Sequence, residues 1–280
     1  LIYTGGIILL KWRLIIEAEN DAYYNMAVDE AIMKIHSQGD TPPTLRFYGW
    51  QPAALSLGYF QQAKKEVDFE KCQQEGIDLV RRLTGGRAIL HDRELTYSII
   101  IREDYNLLAD SIEKSYQQIS SGLVAGLNQL GIAAELKAVE RGKKAPRGHS
   151  AACFDAPSWY EVILNKKKLI GSAQRRKENT ILQHGSLPLD DSSEKIFELL
   201  NYNSAEMRKK SRCIFKAKST NLKRSGSKVD KEELIKALSS GLAEKFNINL
   251  EKASLTESEI ELARELAKNK YQNQNWNFKR

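Results

Sequence analysis

Residues 81–98 read RRLTGGRAILHDRELTYS, and the organisation of the chain is clearest from there. Arg81 and Arg82 close the apolar run IDLVRRL (77–83), Thr84-Gly85-Gly86 supplies a turn, and RAIL (87–90) and LTYSIII (95–101) continue as two further strand patterns. Without a Cβ, a glycine pair lets backbone N–H groups come close to an anionic or carbonyl group. Arg87 stands beside that turn and His91 ends the next strand. The spacing is not that of a Walker loop or a dinucleotide fingerprint, and a Gly-Gly pair between strands also suits an ordinary hairpin.

Upstream, TLRFYGW (44–50) and ALSLGYF (54–60) are two short runs of aromatic and branched residues around Gln51-Pro52, which predicts a pair of neighbouring strands. Before them, Tyr24, Ala27, Val28, Ala31, Ile32 and Ile35 recur at helical spacing behind a cap at Asn20 or Asp21. A short helix is expected over 66–74 and a long one over 109–130. Downstream, WYEVIL (159–164), KKLIGSAQ (167–174) and TILQHGSLPL (180–189) read as strands, and helical patterns return near 193–201, 230–246 and 256–270. Strands interleaved with helices predict an α/β (α+β) fold with a mixed sheet, flanking helices and a helical C-terminal portion. The opening LIYTGGIILL lacks the positive start and cleavage site of a signal peptide. Residues 1–13 are therefore read as an extension, 14–250 as the main domain and 251–280 as a helical tail.

At 280 residues, with 41% hydrophobic and 28% charged, the chain is long enough for a buried core and holds no apolar run long enough for a membrane helix. No repeat appears at periods of 20 to 50 residues, which excludes solenoids and propellers. Three cysteines without paired spacing argue against a disulfide framework or structural zinc and favour the cytoplasm. Four scattered histidines give no metal-binding spacing, so no metal and no other cofactor is expected.

The formal charge is +7, and nine of the 43 basic residues lie within RKKSRCIFKAKSTNLKRSGSK (208–228), which contains no acid. Such a run reads equally as a solvated face or as a docking patch for an acidic macromolecule. With Phe215 as its one aromatic, and no nucleic-acid-binding motif beside it, the run does not point to nucleic acid. ERGKKAPRGHS (140–150) is read as a second, loop-like basic stretch.

Several segments together resemble the superfamily of biotin protein ligases, lipoate ligases and octanoyltransferases. They are NMAVDEA (25–31), RFYGWQPAALSLGYFQ (46–61), RRLTGG with His91 following, CFDAPSWYE (153–161), KKLIGSAQRR (167–176) and ILQHGSLPLD (181–190), in the family's order, from about Trp12 to the terminal WNFKR. The resemblance is greatest to the LipM type of octanoyltransferase and implies that 14–250 form the biotin/lipoate ligase-like catalytic domain.

Read alone, Cys153 is a cysteine among small residues that suits a core position, and the choice among Lys166, Lys167 and Lys168 is open. The resemblance decides both. It implies that Cys153 carries an acyl thioester and that Lys168 lowers its pKa, since a free thiol near 8.5 is mostly protonated at neutral pH. By the same resemblance, Arg82, Thr84, Gly85, Gly86, Arg87, His91, Gly171, Ser172, Ala173, His184 and Gly185 line the substrate site. Donors near Thr84–Gly86, with Lys168, are expected to stabilise the oxyanion, and Tyr48 and Leu57 to line an acyl tunnel.

The implied reaction carries octanoyl from acyl carrier protein to a lysine of a lipoyl domain, that of the glycine-cleavage H protein, in protein lipoylation. A monomer without nucleic-acid or membrane partners is expected. The alternatives are an ATP-dependent lipoate–protein ligase, an amidotransferase that draws octanoyl from the H protein, and a non-enzymatic acyl-protein binding module. Arg87, where many ligases carry a third glycine, favours the transferase.

Overall fold

The computed structural model describes residues 2–4, 7–138 and 160–279. Among them the strands are β1 (Ile2–Thr4), β2 (Ile7–Asn20), β3 (Thr44–Trp50), β4 (Ala54–Leu57), β5 (Asp78–Arg81), β6 (Ile89–His91), β7 (Glu94–Arg102), β8 (Ala134–Ala138), β9 (Tyr160–Leu164), β10 (Lys167–Lys177), β11 (Thr180–Pro188) and β12 (Ile248–Lys252). The helices are α1 (Ala22–Gln38), α2 (Ala63–Glu66), α3 (Phe69–Gln74), α4 (Ile112–Gln129), α5 (Ile196–Leu199), α6 (Ala205–Lys218), α7 (Lys231–Phe246), α8 (Glu257–Leu266) and α9 (Gln274–Asn277).

The large mixed sheet runs β1-β2-β3-β7-β11-β10-β9-β8, with β12 also pairing β2. Both β2–β3 and β12–β2 are parallel, while β3–β7–β11–β10–β9–β8 is antiparallel throughout. Alternation along the strands sends Leu45, Phe47, Tyr97, Ile99, Ile101 and Ile181 to one face, under α4 and α7. The other face takes Tyr48, Ile100 and Leu182 against α1 and α8. A smaller sheet, β5-β4-β6, covers a third core with Leu55, Leu57, Phe197 and Phe215. The α/β architecture with a helical C-terminal portion is thus the one expected.

Three features have physical reasons. The strands around Gln51-Pro52 do not pair with each other: β3 lies in the large sheet and β4 in the small one, because proline interrupts the run and the chain changes sheet there. The two ends of the described chain also meet: β2 begins at Ile7, Leu10–Leu14 pair with Ile248–Lys252, Trp12 is buried, and Arg13 is held by Glu259. Thirdly, much of the basic run is helix α6, capped by Ser204, with Ser211 and Phe215 on its buried side. Its helical pattern is hidden because only two positions in fourteen face the core.

Candidate active site

Where the small sheet meets the α1 face of the large one, β3, β4, β6, β7, β10 and β11 line a narrow slot. Met26, Trp50, Ile89, Gly171, Ala173 and Gly185 give it apolar walls, and Tyr48, Ser56, Arg82, His91, Thr96, Ser172, His184 and Ser186 complete it. The polar side chains are turned into one another, which satisfies their donors and acceptors inside the wall.

Two carboxylate–imidazole pairs carry that arrangement. Asp29, on α1, receives hydrogen bonds from Arg46 Nη1 (2.7 Å), Tyr48 Oη (3.0 Å) and Ser98 Oγ (2.9 Å), and lies 3.3 Å from His184 Nδ1. His184 Nε2 stands 2.6 Å from Thr84 Oγ1. Burial alone would raise the Asp29 pKa, but the Arg46 guanidinium and then the His184 contact bring it below the usual value. Burial pushes the His184 imidazole down, against the upward pull of Asp29. The second pair is Glu94–His91. Nδ1 of His91 lies 2.7 Å from Glu94 Oε1 and Nε2 lies 2.7 Å from Ser56 Oγ, and the ring stacks on Trp50 at 4.0 Å. Thr96 and Ser186 donate to the same Glu94 carboxylate.

Arg82 joins the two pairs. Its Nη1 donates to Ser56 Oγ (3.1 Å), its Nε to Thr84 Oγ1 (3.2 Å), and its Nη2 to the carbonyls of Gly85 and Arg87 (2.8 Å each). The Gly-Gly turn is thereby held from inside. Its outer side is closed by Gly58: a Cβ built there would lie 1.9 Å from Gly86 O. Gly86 has φ +93°, a left-handed conformation that glycine adopts without strain. Gly185 is equally constrained, since a Cβ would meet Ser172 Oγ and the Tyr97 ring at 2.5 Å.

Thus Arg82, His91, Gly171, Ser172, Ala173, His184 and Gly185 lie on the slot itself, while Thr84, Gly85, Gly86 and Arg87 form the turn beside it. Tyr48 lines the slot. Leu57 does not: alternation along β4 turns Ser56 to the slot and Leu57 into the third core. Lys168 lies on β10 three residues before Gly171, 4% exposed, with its ammonium 3.1 Å from Glu161. Cys153 falls outside the described residues. Sequence analysis does not single out Asp29, Glu94 or Ser56. The first two sit in NMAVDEA and HDRELT beside other charged residues, Glu30 for Asp29 and Asp92 and Arg93 for Glu94, so no local pattern marks them. Among the described residues, no group of three or more His, Cys, Asp or Glu could hold a metal ion, and no helix is long and apolar enough to cross a membrane.

The family model described as the lipoyl protein ligase A/B catalytic domain matches residues 21–243. The chain belongs to this family. Within it the similarity is to octanoyltransferases: Octanoyltransferase LipM of Kyrpidia tusciae is 47% identical over 96% of this chain and 99% of that protein, and Octanoyltransferase LipM of Brevibacillus brevis is 43% identical over the same shares. Membership of that group makes the chain an acyltransferase, an octanoyltransferase. Among solved structures, the bipartite lipoate protein ligase of Thermoplasma acidophilum superposes with a TM-score of 0.79 at 26% identity, over 96% of both chains. A lipoate-protein ligase A bound with ATP gives 0.77 at 26%, over 97% of this chain and 99% of that one.

Proposed function

We propose that this octanoyltransferase moves the octanoyl group of octanoyl-acyl carrier protein, through a thioester on Cys153, to the lysine of a lipoyl domain, that of the glycine-cleavage H protein. The observation that carries the reading is the slot: walls of glycine, alanine, methionine and tryptophan around internally paired polar groups suit a short alkyl chain. The LipM relatives support octanoyl as that chain.

In the first step the Cys153 thiolate attacks the donor thioester carbonyl, a new C–S bond forms, and the bond to the donor sulfur breaks to release the carrier as its thiolate, which takes a proton from solvent. In the second, the lysine amine attacks the enzyme thioester, an amide forms, and Cys153 leaves as thiolate while the ammonium proton passes to solvent or a nearby base. Thioester exchange is close to balanced and amide formation is downhill, so the chemistry calls for neither ATP nor a metal. Lys168, oriented by Glu161, is the cation assigned to favour the thiolate and, with backbone donors of the 84–86 turn, the oxyanion. The exposed basic residues of α6 suit acidic protein substrates, although Arg212 and Lys216 already pair with Glu194 and Glu198. The cytoplasm and a monomer complete the reading.

The test is to incubate the protein with octanoyl-acyl carrier protein without ATP and to record its intact mass. A +octanoyl adduct that hydroxylamine removes and that Cys153→Ser abolishes is expected. No adduct ends the covalent reading, and product that needs ATP and free acid assigns the chain to the ligase chemistry of its structural neighbours.

A further inference from the structure

Leu83 also lines a second pocket, of about 190 Å³, that the transfer reaction does not use. Its walls come from α1, the Tyr59 turn, the end of β10 and the C-terminal segment. Lys34, Arg175, Lys177 and Lys270 bring four positive charges against two carboxylates, Glu30 and Glu178. Both carboxylates are already engaged: Glu30 with Lys270 at 2.6 Å and Lys34 at 3.7 Å, and Glu178 with Lys177 at 2.6 Å.

Arg175 is the residue left over. Partly buried, it donates from Nη1 to the Leu83 carbonyl (2.8 Å) and lies 5.0 Å from the centre of the Tyr59 ring. It has no carboxylate partner among the described residues. A guanidinium carries five N–H donors in a planar fork that matches carboxylate and phosphate oxygens. Lys270 adds to the imbalance: burial lowers its pKa, and Glu30 only partly offsets that. A cationic pocket whose acids are committed and whose arginine keeps free donors is built to receive oxygens of negative charge.

We propose that this pocket is an oxyanion-binding subsite, organised by Arg175 and reached by Lys177, for a phosphate or carboxylate group. The group has two sources, a free small anion or an acidic side chain of a protein partner, and the chemistry of recognition is the same for both. The subsite is coupled to the acyl slot. Ala173, Arg175 and Lys177 share one face of β10, about 3.3 Å per residue apart along the strand, and Leu83, whose carbonyl Arg175 holds, precedes the Thr84 that bonds His184. An anion that draws the Arg175 fork toward itself therefore acts on the turn that walls the slot.

The experiment titrates the full-length protein with inorganic phosphate at constant ionic strength, followed by calorimetry and by NMR of the Trp276 indole, in wild type, Arg175→Gln and Lys177→Glu. Saturable binding weakened at least tenfold in both variants is expected for a free anion. Lys177→Glu leaves the Arg175–Leu83 bond in place, so a folding defect of Arg175→Gln does not decide the result. If phosphate does not saturate, the second arm measures binding of octanoyl-acyl carrier protein and of the acceptor lipoyl domain at fixed salt. A fivefold or greater loss in both variants for either protein assigns the subsite to a partner carboxylate. Equal effects of phosphate and chloride, with no change in protein binding, overturn the proposal. The phosphate arm reads binding without turnover and stands or falls apart from the octanoyl reaction.

Discussion

His184 Nε2 lies 2.6 Å from the hydroxyl of Thr84, and this contact ties the Gly-Gly turn beside the small sheet to the centre of the large one. Thr84 Oγ1 also accepts from Arg82 Nε at 3.2 Å, so one hydroxyl serves both imidazole–carboxylate pairs. Thr84→Val keeps the shape but strands the His184 nitrogen and an Arg82 donor, both buried. The expected cost is about 1–3 kcal/mol, read as a lower urea midpoint, together with slower octanoyl transfer. Thr84→Ser, which restores the hydroxyl, should recover most of both. Wild-type stability in the valine variant would show that the contact carries no weight.

Acid should weaken the fold well before the carboxylates titrate. His184 and His36 are both buried with pKa values lowered from 6.5, first by desolvation. In His36, Nδ1–H donates to Thr41 O (2.7 Å) and Nε2 accepts from Arg102 N–H (2.9 Å), which requires the neutral ring; Arg102 and Arg13 disfavour its charge further, against Asp104. Below pH 6.5 the unfolded chain takes up these protons and the native one does not. Stability is therefore full above that pH and falls as pH drops toward the folded values, by up to about 1.4 kcal/mol per pH unit for each histidine. Asp29 and Glu94, with lowered pKa values, lose their contribution only below 3.8 and 4.5. Urea unfolding between pH 7.5 and 5 measures the slope, and His36→Gln should flatten it.

Gly58→Ala places a methyl group 1.9 Å from the Gly86 carbonyl, a backbone atom that moves only with the turn. Displacing it breaks the Tyr59 N–H to Thr84 O bond (2.8 Å) and the Arg82 bonds beneath. An overpacking cost of about 1–3 kcal/mol is expected, with a larger loss of transfer rate because the slot wall shifts. Gly76→Ala, where nothing lies within 4 Å but φ is +64°, is the control: it should cost stability of about 1 kcal/mol through backbone strain and leave transfer kinetics nearly unchanged.

For Lys168, the expected signature is in the pH dependence. If its ammonium favours the Cys153 thiolate, Lys168→Ala should slow adduct formation most at neutral pH and least near pH 9, where the thiol ionises unaided. Glu161→Gln, which removes the carboxylate 3.1 Å away, should leave the charge but loosen its position and lower the rate less. Stopped-flow acylation from pH 6.5 to 9.5 compares the three proteins, and an equal loss at every pH would give Lys168 a different role.

The fold was legible where periodicity was strong. Asp21 caps α1 near the expected place, and the strands at 77–83, 95–101 and 180–189 appear almost as read. What escaped was set by tertiary contacts. β12 is a half-exposed strand that exists because Leu10–Leu14 offer a parallel partner from the other end of the chain, and no local pattern announces such a pairing. The glycines and histidines of the slot could be placed in advance through family resemblance. The acids that hold those histidines could not, because a buried carboxylate reads as a surface residue until its arginine and hydroxyl partners are known.

The strongest consequence of that missed pairing concerns Arg13. Its guanidinium meets Glu259 in a bidentate pair at 2.6 and 2.9 Å and also donates twice to Thr44 Oγ1, while Glu259 accepts from the backbone N–H of Thr256 at 2.8 Å as half of the capping box of α8. With side chains 9% and 0% exposed, each charge is compensated mainly by the other. Removing one partner strands a buried ion, so Arg13→Ala should cost about 3–5 kcal/mol and loosen α8 from β2. The double replacement Arg13→Met with Glu259→Leu removes both charges and should recover most of that loss, apart from the capping bond, worth about 1 kcal/mol. Urea unfolding of the two single variants and the double variant gives the coupling directly. A double variant as unstable as the sum of the singles would mean that the ends of the chain are held by packing around this pair and not by the pair itself.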